Sequence, residues 1–238
     1  MKKFIHSGND KKIYVKQMFN DISKTYDLIN ILSSFGIDRY WRNRLIHKIK
    51  LKPSQHLLDV ATGTGDVAFG FFKKYNMSVT GVDIAKNMIE ISKKKAIKYS
   101  GNINFIEGDA EDIKFDDSFF DALTISFGFR NLGSYDQALS EFYRVLKNNG
   151  KLAILEFSKP TSKWFSPIFK FYFNKVVPRI GALLSRKDAY LYLPESVDYF
   201  LTREDVCKKM INAGFKNVIY KDYTFGVATL YIGNKIEE

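Results

Sequence analysis

The sequence predicts an α/β fold: a seven-stranded, mostly parallel sheet with helices on both faces, extra N-terminal helices and an antiparallel C-terminal hairpin strand. Three observations predict it. Five apolar segments of strand length alternate with segments of helical periodicity. The first is followed at once by Gly63-Thr64-Gly65, and the chain ends in two strand-like segments on either side of Gly226. Strands that alternate with helical crossovers run parallel, because each crossover returns the chain to the same end of the sheet.

The first 50 residues are predicted to form a helical cap in front of the sheet. Residues 1–12 are polar and basic without periodicity, so we expect a loose tail. From Val15 to Leu32 apolar residues recur at helical spacing, which predicts one amphipathic helix. A second helix, capped near Asp38, is predicted to end at Lys52-Pro53.

The central part of the chain predicts the parallel strands and their connecting helices. The predicted strands are the apolar run that begins at Leu57 and the segments 78–83, 103–109, 119–126 and 151–158. The predicted helices begin at Asp66, cover 85–97, and run from a Ser134–Gln137 capping box to Lys147, where Asn149-Gly150 closes the last one.

In the C-terminal part, an aromatic segment interrupts the alternation of strands and helices before a helix and two strands complete the predicted fold. Residues 159–200 are crowded with aromatic side chains and are predicted to be an insertion on the substrate side. A helix follows over 202–214, with Thr202 and Asp205 as its capping pair. The segments 217–225 and 227–233 then predict the hairpin. We expect residues 1–238 to form one domain.

The composition indicates an ordinary globular protein, and its net charge bears on the kind of partner. The chain has 238 residues, 45% of them hydrophobic and 26% charged, which is ordinary for a globular protein. The net charge of +11 can attract nucleic acid or anionic lipid, but the chain is rich in Lys, Ile, Asn, Phe and Tyr together, as an AT-biased genome encodes. We therefore expect no nucleic-acid partner.

The remaining sequence signals predict a cytoplasmic location. Cys207 is the only cysteine, so no internal disulfide forms, which is typical of a reducing compartment. The N-terminus lacks the apolar region of a secretory signal, and no uncharged stretch is long enough to span a bilayer. His6, His47 and His56 are scattered, so neither a metal site nor a histidine base is indicated.

Acidic or small polar residues follow the predicted parallel strands. In an open parallel sheet a ligand lies across the carboxyl ends of the strands, so these residues are candidate contacts. They are Asp59 with the glycine loop residues Gly63 and Gly65, then Asp83, Asp109 with Ala110, and Ser126. An isolated aspartate after a strand is more often a turn or capping residue. Three of them in register with one glycine loop favour a ligand site.

The type of ligand follows from the carboxylates. The loop also fits the loose dinucleotide pattern, so a dehydrogenase is the alternative. Asp83 is spaced to accept hydrogen bonds from ribose hydroxyls, which both kinds of ligand carry. Asp59 can pair with a ligand ammonium group but would repel a pyrophosphate, and Asp109 can accept from an adenine amino group. These preferences indicate S-adenosyl-L-methionine.

Several motifs resemble known families. The stretches LLDVATGTGD, GVDIAKNM, GDAEDIKFDDSFFDALTI and YRVLKNNGKLAI resemble class I S-adenosylmethionine-dependent methyltransferases, whose sheet is Rossmann-like. MFNDISKTYDLINILSSFGIDRYWR, ISFGFRN, LEFSKP and YLYLPESV resemble the ubiquinone/menaquinone biosynthesis C-methyltransferase family. The chain departs from that family at Ala61-Thr62 and Asn148-Asn149-Gly150, both in turns. The resemblance implies that Thr64, Asp83, Asp109-Ala110 and Ser126 contact the methyl donor.

The resemblance also implies a reaction. This family methylates a ring carbon of a prenylated hydroquinone, and whole-sequence resemblance favours demethylmenaquinol as the acceptor over the benzoquinol intermediate of ubiquinone. An RNA methyltransferase and a non-catalytic scaffold of the same fold are the less favoured alternatives. A homodimer or a complex of quinone-synthesis enzymes is a further expectation.

Three residues are candidates for the acceptor side. Arg130 can stabilise a developing phenolate, and Asn131 can orient an oxygen. The alternative for Arg130 is a structural ion pair with Glu156. Tyr26 is a third candidate catalytic residue, for which core packing is at least as good an interpretation.

The aromatic segment 164–184 has three interpretations. It can line a groove for the prenyl tail, or lie on an anionic membrane surface with Lys163, Lys170, Lys175 and Arg179 near the phosphates. A buried lid helix is the alternative. The location expected from the second interpretation is cytoplasmic and peripheral at the inner face of the membrane.

Overall fold

The computed structural model describes residues 4, 7–99, 101–184 and 187–236, and it leaves out the side chains of 182–187. His6 and the last side chains of the aromatic segment therefore lie outside the described residues. The described strands form one seven-stranded sheet in the order β3-β2-β1-β4-β5-β7-β6. They are β1 (His56–Val60), β2 (Ser78–Asp83), β3 (Ile103–Glu107), β4 (Phe120–Ser126), β5 (Leu146–Phe157), β6 (Lys216–Tyr223) and β7 (Ala228–Asn234).

The predicted fold class is confirmed. Strands β1 to β5 pair in parallel, and β7 pairs antiparallel with both β5 and β6. The described helices are α1 (Gly8–Ile22), α2 (Tyr26–Ser34), α3 (Ile37–Lys48), α4 (Asp66–Tyr75), α5 (Lys86–Ala96), α6 (Tyr135–Val145), α7 (Phe165–Phe171), α8 (Val177–Leu184), α9 (Lys187–Asp198) and α10 (Arg203–Asn212). The order of strands reverses between β1 and β4, and in such sheets a ligand binds at the reversal point.

The two faces of the sheet bury separate apolar clusters. Successive side chains of a strand point to opposite faces, so Leu57 packs with α3 and α4 whereas Leu58 and Val60 pack with α6 and α10. Fully burying each such side chain contributes about 1.5–3 kcal/mol. The sheet is thus fixed from both sides, which holds the strand ends at one edge.

The N-terminal prediction was wrong in two respects. The expected loose tail enters α1 at Gly8, whose N–H donates to the Gly133 carbonyl at 3.0 Å. The single helix predicted from Val15 to Leu32 is two helices, because the chain turns after Ile22, whose carbonyl accepts from both the N–H and the hydroxyl of Thr25. The turn lets Ile22 and Ile29 enter the same buried cluster.

The predicted caps had different outcomes. Thr202 and Asp205 form a reciprocal capping box at α10, which confirms that prediction. Ser134 caps α6, but the Gln137 side chain donates to the Glu111 carbonyl instead of returning to the cap. The predicted cap at Asp38 was wrong, since Gly36 precedes α3 and Asp38 accepts from Ser34 and Arg42.

The aromatic segment folds into α7, a π-helical turn at Tyr172–Val176, and α8, after which α9 follows. Helix α8 packs against both α9 and α2, so the segment meets the N-terminal helices. One face of the segment is buried or half-buried, with Phe165, Phe169 and Phe173 stacked in sequence. The other face exposes Trp164, Ile168 and Phe171.

Candidate functional site

A cleft lies at the carboxyl ends of the parallel strands, where the strand order reverses. We call it the strand-end cleft, and its walls combine strand-end residues with α1 and α2. The residues that line it include Lys12, Phe19, Tyr26, Ala61, Gly63, Asp83, Gly108, Asp109, Ala110, Glu111, Ser126, Phe127 and Asn131. The structure thus brings together Gly63, Asp83, Asp109, Ala110 and Ser126, as the sequence predicts for strand ends.

Asp83 is fixed by backbone donors. One of its oxygens accepts from the Gly63 N–H at 2.8 Å, and the other accepts from the Ala85 N–H at 2.8 Å. Burial raises the pKa of Asp83 to about 6, and these two hydrogen bonds oppose the rise. Each carboxylate oxygen retains a lone pair, so Asp83 can still accept hydrogen bonds from a ligand.

The Ser126 hydroxyl is a buried polar group that lines the cleft. Within the described part of the chain it has no hydrogen-bond partner. Buried hydroxyls are almost always paired, so a missing partner at a cleft wall fits a ligand that supplies one. S-adenosylmethionine has amino, carboxylate and hydroxyl groups that can do so, and the residues of the cleft therefore fit this cofactor.

Asp109 is held from the opposite wall by a residue that the sequence analysis placed in a loose tail. Its carboxylate accepts from Lys12 of α1 at 2.7 Å and from the Glu111 N–H at 2.9 Å. Lys12 also pairs with Glu111 at 3.0 Å. Helix α1 therefore closes one side of the cleft over the end of β3.

Three residues that are predicted to contact the methyl donor, Asp59, Thr64 and Gly65, are not among the residues that line the described cleft. Asp59 is buried and accepts from the Thr62 and Thr124 hydroxyls at 2.7 and 2.6 Å, and burial raises its pKa to about 6. Thr64 is buried and donates to Asp27 at 2.7 Å. A Cβ at Gly65 would lie 2.7 Å from Phe69. In this structure the three residues shape the loop, and contact with a ligand stays a prediction for each.

Two residues without glycine's freedom adopt left-handed backbone at the cleft. Ala61 has φ of 49° directly after β1, and Phe127 has φ of 58° directly after β4. Such conformations cost a non-glycine residue about 1–3 kcal/mol and cluster at functional sites.

A second cavity adjoins the cleft and is much larger. This aromatic cavity has a volume of about 570 Å³, within the range of small-molecule sites. It lies among α1, α2, α3 and the segment α7 to α9, and apolar side chains dominate its walls. Phe19, Tyr26 and Phe127 line both the cleft and the cavity. A ligand in one is therefore adjacent to a ligand in the other.

Arg130 forms the ion pair that the sequence analysis named as the alternative. Its Nη1 donates to Glu156 at 2.6 Å and to the Phe127 carbonyl at 2.6 Å, and its Nε donates to Ser196 at 3.2 Å. Arg130 and Glu156 are both buried. Arg130 lines the aromatic cavity, and the hydrogen bonds of its side chain to described residues run through Nε and Nη1 rather than Nη2. Two N–H donors remain for a ligand oxygen.

The other two predicted acceptor residues lie at the junction of the two spaces. Asn131 lines the cleft, and its side-chain oxygen accepts from the Tyr192 hydroxyl at 3.2 Å. Tyr26 is half-buried between the cleft and the cavity, and burial raises its pKa. Both positions are compatible with a role near the reacting atoms.

Sequence reasoning missed several residues of the site. Lys11 is buried in α1 and donates to the Arg130 carbonyl at 2.7 Å, and its pKa falls to about 8 mainly through burial. Its partner is a backbone atom, which leaves no signal in a sequence. Tyr190 and Tyr192 of α9 line the aromatic cavity. The stretch YLYLPESV, which holds both, carried a resemblance but no position in space.

No described helix is long and apolar enough to cross a bilayer. Within the same residues, no group of three or more His, Cys, Asp or Glu side chains is arranged to hold a metal ion.

The chain matches the ubiE/COQ5 methyltransferase family over residues 6–235. It is 45% identical to the ubiquinone/menaquinone biosynthesis C-methyltransferase UbiE of Geotalea daltonii, covering 93% of this chain and 96% of that one. It is 42% identical to the demethylmenaquinone methyltransferase of Thermus thermophilus, covering 92% of this chain and all of that one.

Solved structures show the same fold at low sequence identity. A SAM-dependent methyltransferase from Thermotoga maritima is 18% identical, with a TM-score of 0.65 over 92% of this chain and 99% of that one. The [4+2]-cyclase SpnF is 16% identical, with a TM-score of 0.70 over the whole of both chains. A cyclase shares the fold, so the fold alone does not identify the reaction.

Proposed function

Because this chain belongs to the ubiE/COQ5 methyltransferase family, we propose that it transfers a methyl group from S-adenosylmethionine to a ring carbon of a prenylated hydroquinone. The observation that carries the proposal is the junction of two unlike spaces. A strand-end cleft that carries carboxylate and hydroxyl groups among its apolar lining meets an aromatic cavity with mostly apolar walls at Phe19, Tyr26 and Phe127. A cationic, hydroxyl-bearing donor suits the first space, and a prenylated ring suits the second.

The cleft residues are proposed to hold the donor. Asp83 would accept from the ribose hydroxyls, Asp109 with Ala110 would contact the adenine, and the Ser126 hydroxyl would gain its missing partner. Gly63 lets the loop backbone approach the ligand, since among the described residues only Tyr26 lies within 4 Å of the position of a Cβ there. Bound S-adenosylmethionine supplies an electrophilic methyl group.

The cavity residues are proposed to hold the acceptor ring. Attack by a ring carbon requires electron density from a ring oxygen, which becomes more negative as its proton leaves. The free Nη2 donors of Arg130 can stabilise that oxygen, while Glu156 fixes the guanidinium. Asn131 would orient a second polar group, and Tyr26 would separate the donor from the solvent. Overall, one methyl group is gained by the ring and one proton is released.

Demethylmenaquinol is the acceptor that we favour, because curated relatives at 41–42% identity are named demethylmenaquinone methyltransferases. The benzoquinol intermediate of ubiquinone synthesis is the alternative, which the name of the Geotalea relative also covers. We further propose that the chain acts as one domain in which residues 1–50 and 159–200 cover the substrate.

Methyl transfer can be tested directly. Purified protein is incubated with methyl-labelled S-adenosylmethionine and, separately, with a reduced naphthoquinol, a reduced benzoquinol and bulk RNA. We expect label in the naphthoquinol, less in the benzoquinol and none in RNA. Donor binding without transfer to any quinol would favour the non-catalytic scaffold, and label in RNA alone would favour the RNA methyltransferase.

We also propose that the exposed face of the aromatic segment contacts an anionic membrane surface from the cytoplasmic side. Phe35 is 82% exposed and lines the cavity, as does the exposed Ile168. Lys170, Lys175 and Arg179 are exposed on the same segment. A prenylated quinol dissolved in the bilayer would then enter the cavity at its rim.

Vesicle flotation tests this contact. We expect binding to vesicles with anionic lipid and weaker binding to neutral ones, and we expect the F35S/F171S variant to lose most of the binding. The matched control is Ile97→Ser, on an exposed residue at the end of α5, outside the aromatic segment. Failure to float with either lipid would contradict the proposal. Light scattering on the same protein tests the predicted homodimer.

A further inference from the structure

Tyr190 lines the aromatic cavity and has a buried hydroxyl. The residue is 5% exposed and lies on α9. Within the described residues its hydroxyl has no hydrogen-bond partner. The hydroxyls of two other tyrosines of this cavity are paired, since Tyr172 donates to the Ser33 carbonyl at 2.9 Å and Tyr192 donates to Asn131. Tyr190 therefore differs from its neighbours in having a polar group that the protein itself leaves unpaired.

The ring of Tyr190 is held in place by a close helix contact. Gly181 of α8 lies against it, and any Cβ at position 181 would overlap the base of the Tyr190 ring. Met18, Ile22 and Ala189 belong to the same buried cluster. A ring fixed on several sides keeps its hydroxyl in one place, which is what a ligand contact requires.

An apolar ring would satisfy the packing at this position equally well. A buried hydroxyl without a partner loses its hydrogen bonds to water and gains none in return, so it destabilises the free protein. Phenylalanine would keep the contact with Gly181 and avoid that loss. The presence of a hydroxyl is explained if a ligand in the cavity accepts its hydrogen bond.

We propose that the Tyr190 hydroxyl donates a hydrogen bond to a ring oxygen of the acceptor, and so selects aromatic diols over apolar rings. This inference rests on the proposed function. Of a prenylated hydroquinone, the ring oxygens are the only groups that can accept a hydrogen bond, because the tail is hydrocarbon. Tyr190 and Arg130 both line the cavity, so each can take an oxygen of the ring.

The protonation state suits a donor. Burial raises the pKa of Tyr190 above its usual range, and the neighbouring Tyr26 adds to the rise. The hydroxyl therefore keeps its proton at neutral pH. A neutral donor aimed at an oxygen that gains negative charge stabilises the transition state more than the ground state.

The test compares Tyr190→Phe with the wild type in the quinol methylation assay. We expect kcat to fall about 100-fold, as for loss of one oxyanion donor, with the Kd for S-adenosylmethionine changed less than twofold. The thermal midpoint of the ligand-free protein should stay equal or rise, because the variant removes an unpaired buried hydroxyl. The matched control is Tyr231→Phe, a buried tyrosine of the other core that lines neither space, and its turnover should equal that of the wild type.

Acceptor analogues sharpen the result. Naphthols that retain only one of the two ring oxygens are compared as inhibitors of both proteins. The naphthol that lacks the oxygen contacted by Tyr190 should bind equally to the wild type and to Tyr190→Phe. The naphthol that retains this oxygen should bind to the wild type at least tenfold more tightly than to Tyr190→Phe.

Three outcomes would overturn the inference. Unchanged turnover of Tyr190→Phe would show that the hydroxyl contacts no acceptor oxygen. A lower thermal midpoint together with weaker donor binding would show a structural role. Wild-type protein that methylates no quinol would contradict the proposed function and this inference together, whereas active wild type with an equally active variant contradicts this inference alone.

Discussion

The strand-end cleft and the aromatic cavity are built in different ways. The cleft takes its polar groups from the ends of adjacent strands, such as Asp83 and Ser126, and hydrogen bonds of the sheet fix their spacing. The cavity takes its polar groups from segments far apart in sequence, such as Tyr26, Arg130 and Tyr190. Substitutions in the sheet should therefore alter donor binding, and substitutions between helices should alter the acceptor step with little effect on the donor.

Glu156→Gln should have the largest effect on stability and should damage the cavity side. It leaves the buried Arg130 guanidinium without its counter-charge, which costs about 3–5 kcal/mol of unfolding free energy. Quinol turnover should fall much more than donor affinity. Urea denaturation and calorimetric titration of S-adenosylmethionine measure the two effects.

The control for this variant is Asp112→Asn, which breaks the exposed pair with Lys114. Exposed pairs contribute little, so its unfolding free energy should match that of the wild type. If Glu156→Gln were as stable as this control, the ion pair would not hold the cavity wall.

Gly65→Ala tests the strand-end cleft in the way that Glu156→Gln tests the aromatic cavity. A Cβ there would meet both Phe69 and Phe105 within 2.9 Å, and φ is +92°. Overpacking and backbone strain together should cost about 2–4 kcal/mol and should weaken donor binding, because the loop must shift. Gly36→Ala has a similar φ of +73° with open space around it, so it isolates the backbone term at about 1 kcal/mol. Equal losses in the two variants would exclude crowding at Gly65 as the cause.

The same contrast explains what the sequence could predict. Strand ends meet at one edge of a parallel sheet, so Asp83, Asp109 and Ser126 could be placed together from their spacing alone. The spacing could not show which residues near the loop line the cleft. Asp59 and Thr64 do not line it in the described structure, and their contact with the methyl donor stays a prediction. Pairing of Arg130 with Glu156 could be named as an alternative because both follow or end a predicted strand.

Contacts between helices were harder to predict from the sequence than the positions of strand ends. Lys11 falls in the predicted loose tail because residues 1–12 are polar and basic without periodicity, and its partner is a carbonyl that no sequence pattern marks. Tyr190 lies opposite Gly181 because α8 and α9 cross there, and the pairing depends on a three-dimensional contact between segments of irregular helix. The sequence therefore predicted that the segment 159–200 lies on the substrate side. It did not predict the individual contacts that form the cavity.

Donor binding should depend on pH through Asp83. Burial raises its pKa to about 6 in the folded protein, so the folded state binds the proton more tightly than the unfolded state. Stability of the ligand-free protein from this group therefore rises as pH falls from about 6 towards the ordinary carboxyl pKa of 3.8, by up to about 3 kcal/mol in all. Under the proposed contact between Asp83 and the ribose, affinity for S-adenosylmethionine should move the opposite way, falling below pH 6 by up to about tenfold per unit, since a neutral carboxyl accepts hydrogen bonds less strongly than a carboxylate.

Titration calorimetry between pH 5 and 7.5 measures this opposition. Asp83→Asn should bind more weakly at pH 7.5 and lose the pH dependence. Asp59 has a similar pKa of about 6, but its oxygens are occupied by Thr62 and Thr124, so Asp59→Asn should retain the pH dependence of donor binding. A pH-independent Asp59→Asn would instead restore Asp59 as the ligand contact that the sequence predicts.

Lys12→Ala should have the smallest effect, and it tests whether α1 competes with the donor for Asp109. The Lys12 ammonium occupies one oxygen of Asp109 and also neutralises Glu111. Its removal frees an acceptor for the adenine and makes the cleft more favourable to a cation, so donor affinity should rise about two- to fivefold. Lys16→Ala, four residues along α1 in an exposed pair with Glu107, should leave affinity unchanged. If Lys12→Ala alone bound S-adenosylmethionine more weakly, the Lys12 ammonium would help to shape the cleft for the methyl donor. Helix α1 would then be part of the donor site together with the strand ends.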